Sequence, residues 1–268
     1  MSSHDASPDR PVMHHTRPWA LVTGASGGIG EAFVNRLAAH GSNVVLAARS
    51  VDKLEAVAER ARQGGVDAVV VPCDMGDRAA RDHLLGEIER REITLTTLVN
   101  NAGYGMFGPF VEADQQRVLQ MLEVNCAALT HLTGALLPGM VERRHGQVVN
   151  VASTAAFQPL PNMAAYAASK AYVKSFTEAL WHELKGTGVR VIALCPGPTE
   201  TDFFANAGDA SALSLRRSAE QVVETCFRAL AAGRPTVVDG PLNVAQSVAP
   251  RFVPTRVALA VAKRVVSR

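Results

Sequence analysis

Short runs of apolar residues recur along the chain, and most are followed by a longer stretch whose apolar positions repeat at helical spacing. Residues 19–23, 43–48, 68–72, 97–100, 148–152, 189–194 and 236–238 read as strands, bounded by glycine, proline, asparagine or aspartate. Between them, helical periodicity runs from the glycine cluster near residue 28 to His40, then over 51–63, 78–91, 112–137, 164–185 and 219–232. Pro138-Gly139 should stop the longest of these, because proline removes a helical N–H. Strands that are apolar throughout, separated by helices, imply a parallel sheet covered on both faces. The expected fold class is α/β: one Rossmann-type, doubly wound parallel sheet of about seven strands.

Composition adds boundaries to this picture. A chain of 268 residues, 47% of them hydrophobic, can bury the core of one such domain, expected over 18–240. Residues 1–17 are polar and lack the apolar stretch of a signal peptide, so they read as a flexible tail. The uncharged run 146–169 contains Gln147, Asn150, Pro159, Pro161 and Asn162, which argues against a transmembrane helix there. A net charge of +2 gives no field that would attract nucleic acid. The charge is uneven, however: the last twenty residues hold Arg251, Arg256, Lys263, Arg264 and Arg268 and no acid. In the extension 241–268, helical spacing sets Val257, Ala258, Val261 and Val265 opposite Arg256, Lys263 and Arg264. Packing of those valines on the body or on a second subunit is the expectation, with contact to an anionic membrane as the alternative. The four cysteines, at 73, 126, 195 and 226, show no paired spacing, which suits free thiols in a reducing cytoplasm and gives no metal motif.

Three local patterns carry candidate chemistry. The first strand ends in Thr23-Gly24-Ala25-Ser26-Gly27-Gly28-Ile29-Gly30 and passes into a helix, a geometry that aims backbone N–H groups at a diphosphate. An ordinary glycine-rich turn has the same composition; the flanking strand and helix favour the dinucleotide reading, and the missing Gly-Lys-Ser/Thr disfavours an NTP-hydrolysing loop. At the end of the second strand, Ala48-Arg49 stands where a carboxylate would select a bare ribose hydroxyl. A guanidinium there suits a 2′-phosphate, so NADP(H) is expected over NAD(H), with Ser26 as an added donor. Finally, Tyr166 and Lys170 stand four apart in a helical stretch, so the ammonium can act on the phenol. Lowering a phenol from about 10 to about 7 takes about 4 kcal/mol, which one cation in a dry pocket could largely supply. A solvated helix face can carry the same pair.

Taken together, Thr23-Gly24-x-x-x-Gly28-x-Gly30, Asn100-Asn101-Ala102-Gly103, Asn125, Ser153, Tyr166-x-x-x-Lys170 and Pro196-Gly197 resemble the short-chain dehydrogenase/reductase family over residues 18–240. The resemblance implies Tyr166 as catalytic acid/base, Lys170 as the group that lowers its pKa and holds the nicotinamide ribose, and Ser153 as a hydrogen-bond donor to the substrate oxygen. It further implies that Asn125 holds a water relaying protons to the lysine. Asn101, Ala102, Gly103 and Asp74 would meet the adenosine, and Pro196, Gly197 and Thr199 the nicotinamide, beside Gly24, Gly28, Ile29 and Gly30 at the phosphates. The implied reaction moves hydride between NADP(H) and a carbonyl or alcohol while Tyr166 moves the proton, with no metal. A dinucleotide sensor without turnover and an epimerase share the fold; a sensor has no use for the Asn-Ser-Tyr-Lys set.

Tyr104, Met106, Phe107, Phe110, Phe157, Leu160, Met163 and Phe203-Phe204 are candidates to line an apolar substrate cleft, which favours a hydrophobic ketone, aldehyde or secondary alcohol. The small, polar stretch 208–214 could form a lid. Members of the family often form dimers or tetramers, so a homo-oligomer is expected.

Overall fold

Seven parallel strands form one sheet in the order β3-β2-β1-β4-β5-β6-β7 in a computed structural model that describes residues 17–200 and 217–266. The strands are β1 (Trp19–Thr23), β2 (Asn43–Ala48), β3 (Ala68–Pro72), β4 (Leu95–Asn100), β5 (Gly146–Val151), β6 (Val189–Cys195) and β7 (Thr236–Val238). Helices α1 (Gly28–Ala39), α2 (Val51–Gln63), α3 (Arg78–Arg90), α4 (Gln115–Leu122), α5 (Leu129–Glu142), α6 (Ala164–Glu183) and α7 (Ala219–Ala231) connect them. Two further helices, α8 (Pro241–Val248) and α9 (Thr255–Val266), follow the last strand. The expected α/β doubly wound sheet is what the chain forms.

Alternation along each strand feeds two cores. Ala20, Val22, Val44, Leu46, Val99, Val149, Ile192 and Leu194 point to one face, where Phe33, Leu54, Val57, Val222 and Cys226 of α1, α2 and α7 cover them. Leu21, Val45, Leu98, Val148 and Val191 point to the other, under Leu84, Ile88, Leu132 and Met140 of α3 and α5. Having both faces covered explains why the strands carry no polar alternation. Strand order reverses between β1 and β4, so the loops leaving those two strands diverge and open a crevice at the carboxyl edge of the sheet.

Two local expectations change. The helix of 112–137 begins later, at Gln115, where the Asp114 carboxylate accepts the N–H of Gln116 and of Arg117 as its cap. It also runs past Pro138 to Glu142. Pro138 and Gly134, whose carbonyl loses its partner, both face solvent, so water can satisfy that oxygen. Beyond the proline, Met140 is fully buried against Gly146 and anchors the last turn. Between α4 and α5 the ladder slips into a π-turn over Glu123–Ala128, making 115–142 one continuous helical stretch. That stretch is long and apolar enough to cross a bilayer by length and composition, yet it packs on β4 and β5 and carries Asn125 inward. Residues 1–16 of the expected tail 1–17, Phe203-Phe204 and the expected lid at 208–214 lie outside the described residues.

Candidate active site

The β1–α1 turn is shaped by Gly24, Gly28 and Gly30, where a side chain would be strained or would clash. Gly24 and Gly28 take φ of 64° and 56°. A Cβ on Gly30 would stand 2.1 Å from the Gly24 carbonyl oxygen, and one on Gly24 would stand 2.8 Å from Asn101 Nδ2. Helix α1 starts after Gly27, which offers no side-chain cap, and a Cβ built on Gly27 would meet nothing within 4 Å. Uncapped first-turn N–H groups with open space beside them, flanked by half-buried Ser26 and Ile29, fit a diphosphate. Thr23 locks this turn to the loop after β4: its hydroxyl accepts the N–H of Asn101 and of Ala102, both at 3.0 Å, and donates to the Val99 carbonyl at 3.3 Å. Asn101 Nδ2 returns two bonds, to the carbonyls of Thr23 at 2.9 Å and Gly24 at 3.2 Å.

Arg49 leaves the end of β2 exposed to solvent, after buried Ala48. Asp74 follows β3 and accepts the Gly76 N–H at 2.9 Å, fixing its own turn. Both act on the half-buried Tyr104 phenol, which burial raises above its ordinary value and Arg117 and Arg49 pull back. The outer end of the crevice therefore presents one arginine and one aspartate.

At the inner end, α6 projects Tyr166 and Lys170 to the same side, with Lys170 Nζ 5.9 Å from the phenol ring centre. Both residues are buried. Lys170 donates to the Val151 carbonyl at 2.9 Å, and burial pulls its ammonium down to about 8. Tyr166 is pushed up to about 12 by burial, partly opposed by a hydrogen bond from Ser153. Burial is the largest influence on the phenol, and the Lys170 hydrogen bond goes to a backbone carbonyl.

Ser153 lies two residues beyond β5 rather than at its end. It opens a 3₁₀ turn (Thr154–Phe157) and accepts the Ala155 N–H at 3.1 Å. Asn125 sits in the π-turn, where the widened backbone carries its amide into the interior. It accepts the Tyr104 N–H at 3.1 Å and donates to the Tyr104 carbonyl and to Ser169 Oγ, both at 3.0 Å. One lone pair of Oδ1 is left over by these bonds. A Cβ on Gly103 would stand 2.9 Å from that oxygen and 3.3 Å from Lys170 Nζ, so the loop after β4 lies directly against both groups. After β6, Thr199 donates to the Gly197 carbonyl at 3.0 Å, and the Thr154 N–H donates to the Pro196 carbonyl at 2.9 Å, tying this loop to the serine turn.

The structure thus brings Gly24, Asn101, Ala102, Gly103, Asn125, Ser153, Tyr166, Lys170 and Pro196–Thr199 to one edge, with Arg49 and Asp74 at its far end. A cleft of about 330 Å³ opens onto Tyr166, lined by Met106, Phe107, Phe110, Met121 and Met163 together with the polar Glu112, Asp114, Arg117 and Asn162. Three lining candidates go elsewhere. Phe157 packs with Leu129, Val173 and Cys195, Tyr104 turns its hydroxyl to the Arg117 carbonyl, and Leu160 packs beside Tyr166 without lining the cleft.

The sequence reading missed several supporting groups. Asn100 donates to Thr133 and to Asn150, and Asn150 donates to Thr177, all buried. Arg81, buried beneath the Asp74 loop, holds the Met75 carbonyl and pairs with Glu123 of the π-turn at 2.7 Å. Asparagines inside otherwise apolar strands were the available signal for the first network; nothing local marks Arg81.

A family model described as short chain dehydrogenase matches residues 18–212. Hydroxysteroid dehydrogenase-like protein 1 of Gallus gallus is 38% identical over 183 residues, 66% of this chain and 54% of that protein. A short-chain dehydrogenase from Sphingobium yanoikuyae, solved in complex with NADPH, is 32% identical, with a TM-score of 0.79 over 88% of this chain and 91% of that one. A short-chain dehydrogenase/reductase from Burkholderia phymatum, solved in complex with NAD, is 27% identical, with a TM-score of 0.78 over 86% of this chain and 92% of its own. The chain spans 54–61% of the length of several curated relatives it matches. The chain has the fold of the short-chain dehydrogenase/reductase family and belongs to it.

Proposed function

We propose that this chain is an NADP(H)-dependent reductase of hydrophobic ketones and aldehydes, and the corresponding alcohol dehydrogenase in reverse. The observation that carries the proposal is Tyr166, hydrogen-bonded with Ser153 and facing a cleft whose lining includes Met106, Phe107, Phe110, Met121 and Met163, with Lys170 buried beside it. Bound NADPH supplies the hydride; the chain's residues handle everything else. Tyr166, held protonated by burial, donates its proton to the carbonyl oxygen as charge develops there. Ser153 hydrogen-bonds that oxygen and then the phenolate. Lys170 offers its cation to the ribose and the tyrosine, and Asn125 keeps one acceptor position for a proton-relaying water.

Arg49 is the support for NADP(H): it is exposed at the end of β2, after an alanine, where the ribose hydroxyls would lie. One structural relative was solved with NADPH and another with NAD, so preference rests on this residue. The methionine and phenylalanine side chains of the lining support a hydrophobic substrate, in keeping with the name of the Gallus gallus relative, while Glu112, Asp114, Arg117 and Asn162 give the same cleft polar groups. A homo-oligomer acting in the cytoplasm, whose free thiols Cys73, Cys126, Cys195 and Cys226 stay reduced, completes the proposal. The test is NADPH consumption across a panel of aryl ketones, fatty aldehydes, steroid ketones and small hydroxy-acid or sugar analogues. Turnover confined to the polar compounds, or absent throughout, overturns it.

A further inference from the structure

The C-terminal extension is built inside out. Helix α8 buries Asn243 and Ser247 and exposes Leu242, Val244 and Val248. The 3₁₀ turn after it leaves Phe252 81% exposed, with Val253 exposed beside it. On α9, Ala262 is buried and Ala258 and Leu259 are half-buried, while Val257 and Val261 face solvent. Val257 and Val261 therefore do not pack on the body, and the side chain of Val265 lies outside the described residues. Seven large apolar side chains along 242–261 point away from the protein, an arrangement that a helix serving only the core would reverse.

Charge narrows what covers them. Residues 240–268 contain five basic side chains and no acid, which leaves a formal −3 on the remainder of the chain. Arg256 is exposed within the apolar strip. Docking two such strips on one another would bring like charges together, whereas an anionic lipid surface complements both the charge and the apolar side chains. The position in the fold is consistent. Helix α8 packs on the 3₁₀ turn that follows Ser153, and Phe107, Phe110 and Val111 are exposed on the loop lining the Tyr166 cleft. All belong to the carboxyl edge of the sheet.

We propose that residues 241–266 dock this protein on an anionic bilayer, seating the outward Leu, Val and Phe side chains at the headgroup–acyl boundary with the cleft mouth on the same edge. The docking does not depend on the chemistry assigned to the site. It does explain how a hydrophobic carbonyl compound would arrive from the lipid phase.

The experiment is flotation of the 268-residue chain with two sets of vesicles: phosphatidylcholine alone, and phosphatidylcholine with phosphatidylglycerol at a ratio of about seven to three. The expected result is partitioning about tenfold stronger on the anionic vesicles, weakened as salt rises to about 0.5 M. Val257→Asp with Val261→Asp should lower it about tenfold or more, and Phe252→Ser about fivefold, because each removes apolar contact. These side chains are exposed, so far-UV circular dichroism should match the wild type; Arg256→Gln is a second, milder probe of the charge component. Equal flotation of wild type and the Val257/Val261 variant overturns the proposal, as does absence of flotation on anionic vesicles. A wild-type dimer that the same double substitution splits, with no lipid binding, assigns the strip to a second copy and overturns it too.

Discussion

At the scale of single residues, burial sets the direction of the proton. Tyr166, pushed up to about 12, keeps its proton through the neutral range, so in the proposed mechanism reduction would have its acid in place. Oxidation needs the phenolate, whose fraction grows about tenfold per pH unit below that value. Alcohol oxidation should therefore rise with pH above about 7, while carbonyl reduction loses little before Lys170 discharges at about 8. Paired kcat/KM profiles check this, and an oxidation rate that falls with rising pH contradicts it. Tyr166→Phe should lower reduction about a hundred- to ten-thousand-fold while NADPH still binds, since the ring and the lysine remain. Fluorescence titration of the cofactor separates the two effects. Arg49 belongs to this scale as well. Its exposed guanidinium can form charge-assisted bonds to a 2′-phosphate, so Arg49→Ala should weaken NADPH about ten- to a hundredfold and leave NADH nearly unchanged. Equal losses for both would remove the basis of the cofactor assignment.

At the scale of elements, the π-turn Glu123–Ala128 is the least predictable feature and one the site uses directly. An α-helical ladder through Glu-Val-Asn-Cys-Ala-Ala violates no local preference strongly enough to announce a slip. The slip is stabilised from outside, by Arg81 on Glu123 and by Tyr104 and Ser169 on Asn125. Those partners lie 42, 21 and 44 positions away, beyond any local pattern. The strands were legible because burial on both faces writes itself as unbroken apolar runs, and the glycine turn because its chemistry is local. Pro138 misled because a proline's cost depends on where its orphaned carbonyl points, here toward water. Phe157 and Phe107 are equally hydrophobic; only the tertiary structure sends one to the core and the other to the cleft. The tight stack of Gly103 on the π-turn gives a prediction at this level. In Gly103→Ala the new Cβ meets an Asn125 amide already fixed by three hydrogen bonds, so it should cost about 1–3 kcal/mol in denaturant unfolding. An unchanged midpoint would show that the turn yields freely.

At the scale of the whole molecule, the C-terminal extension reaches the site at the serine turn and at the loop after β6. Asn243, buried on α8, donates to the Asp239 carbonyl at 2.6 Å and lies against Gly197. Asp239 is itself buried and pairs with Arg217 at 2.6 Å, and Arg217 exchanges backbone hydrogen bonds with Pro198 and Glu200. The loop proposed to wall the nicotinamide is thus gripped between two segments that the sequence reading treated as unrelated, the core domain and its extension. A Cβ on Gly197 would fall 2.2 Å from Asn243 Nδ2, and neither group can retreat without breaking these bonds. Gly197→Ala should therefore loosen NADPH binding about tenfold or more, by pushing the loop off its seat. Asn243→Ala opens space at the same point and should by itself have the smaller effect on the cofactor. If the clash is the cause, the double variant recovers most of the affinity lost in Gly197→Ala, giving a coupling of about 1–2 kcal/mol in a double-mutant cycle read by NADPH titration. Strict additivity would mean that the extension does not support the loop, and that Gly197 matters only to the loop's own backbone.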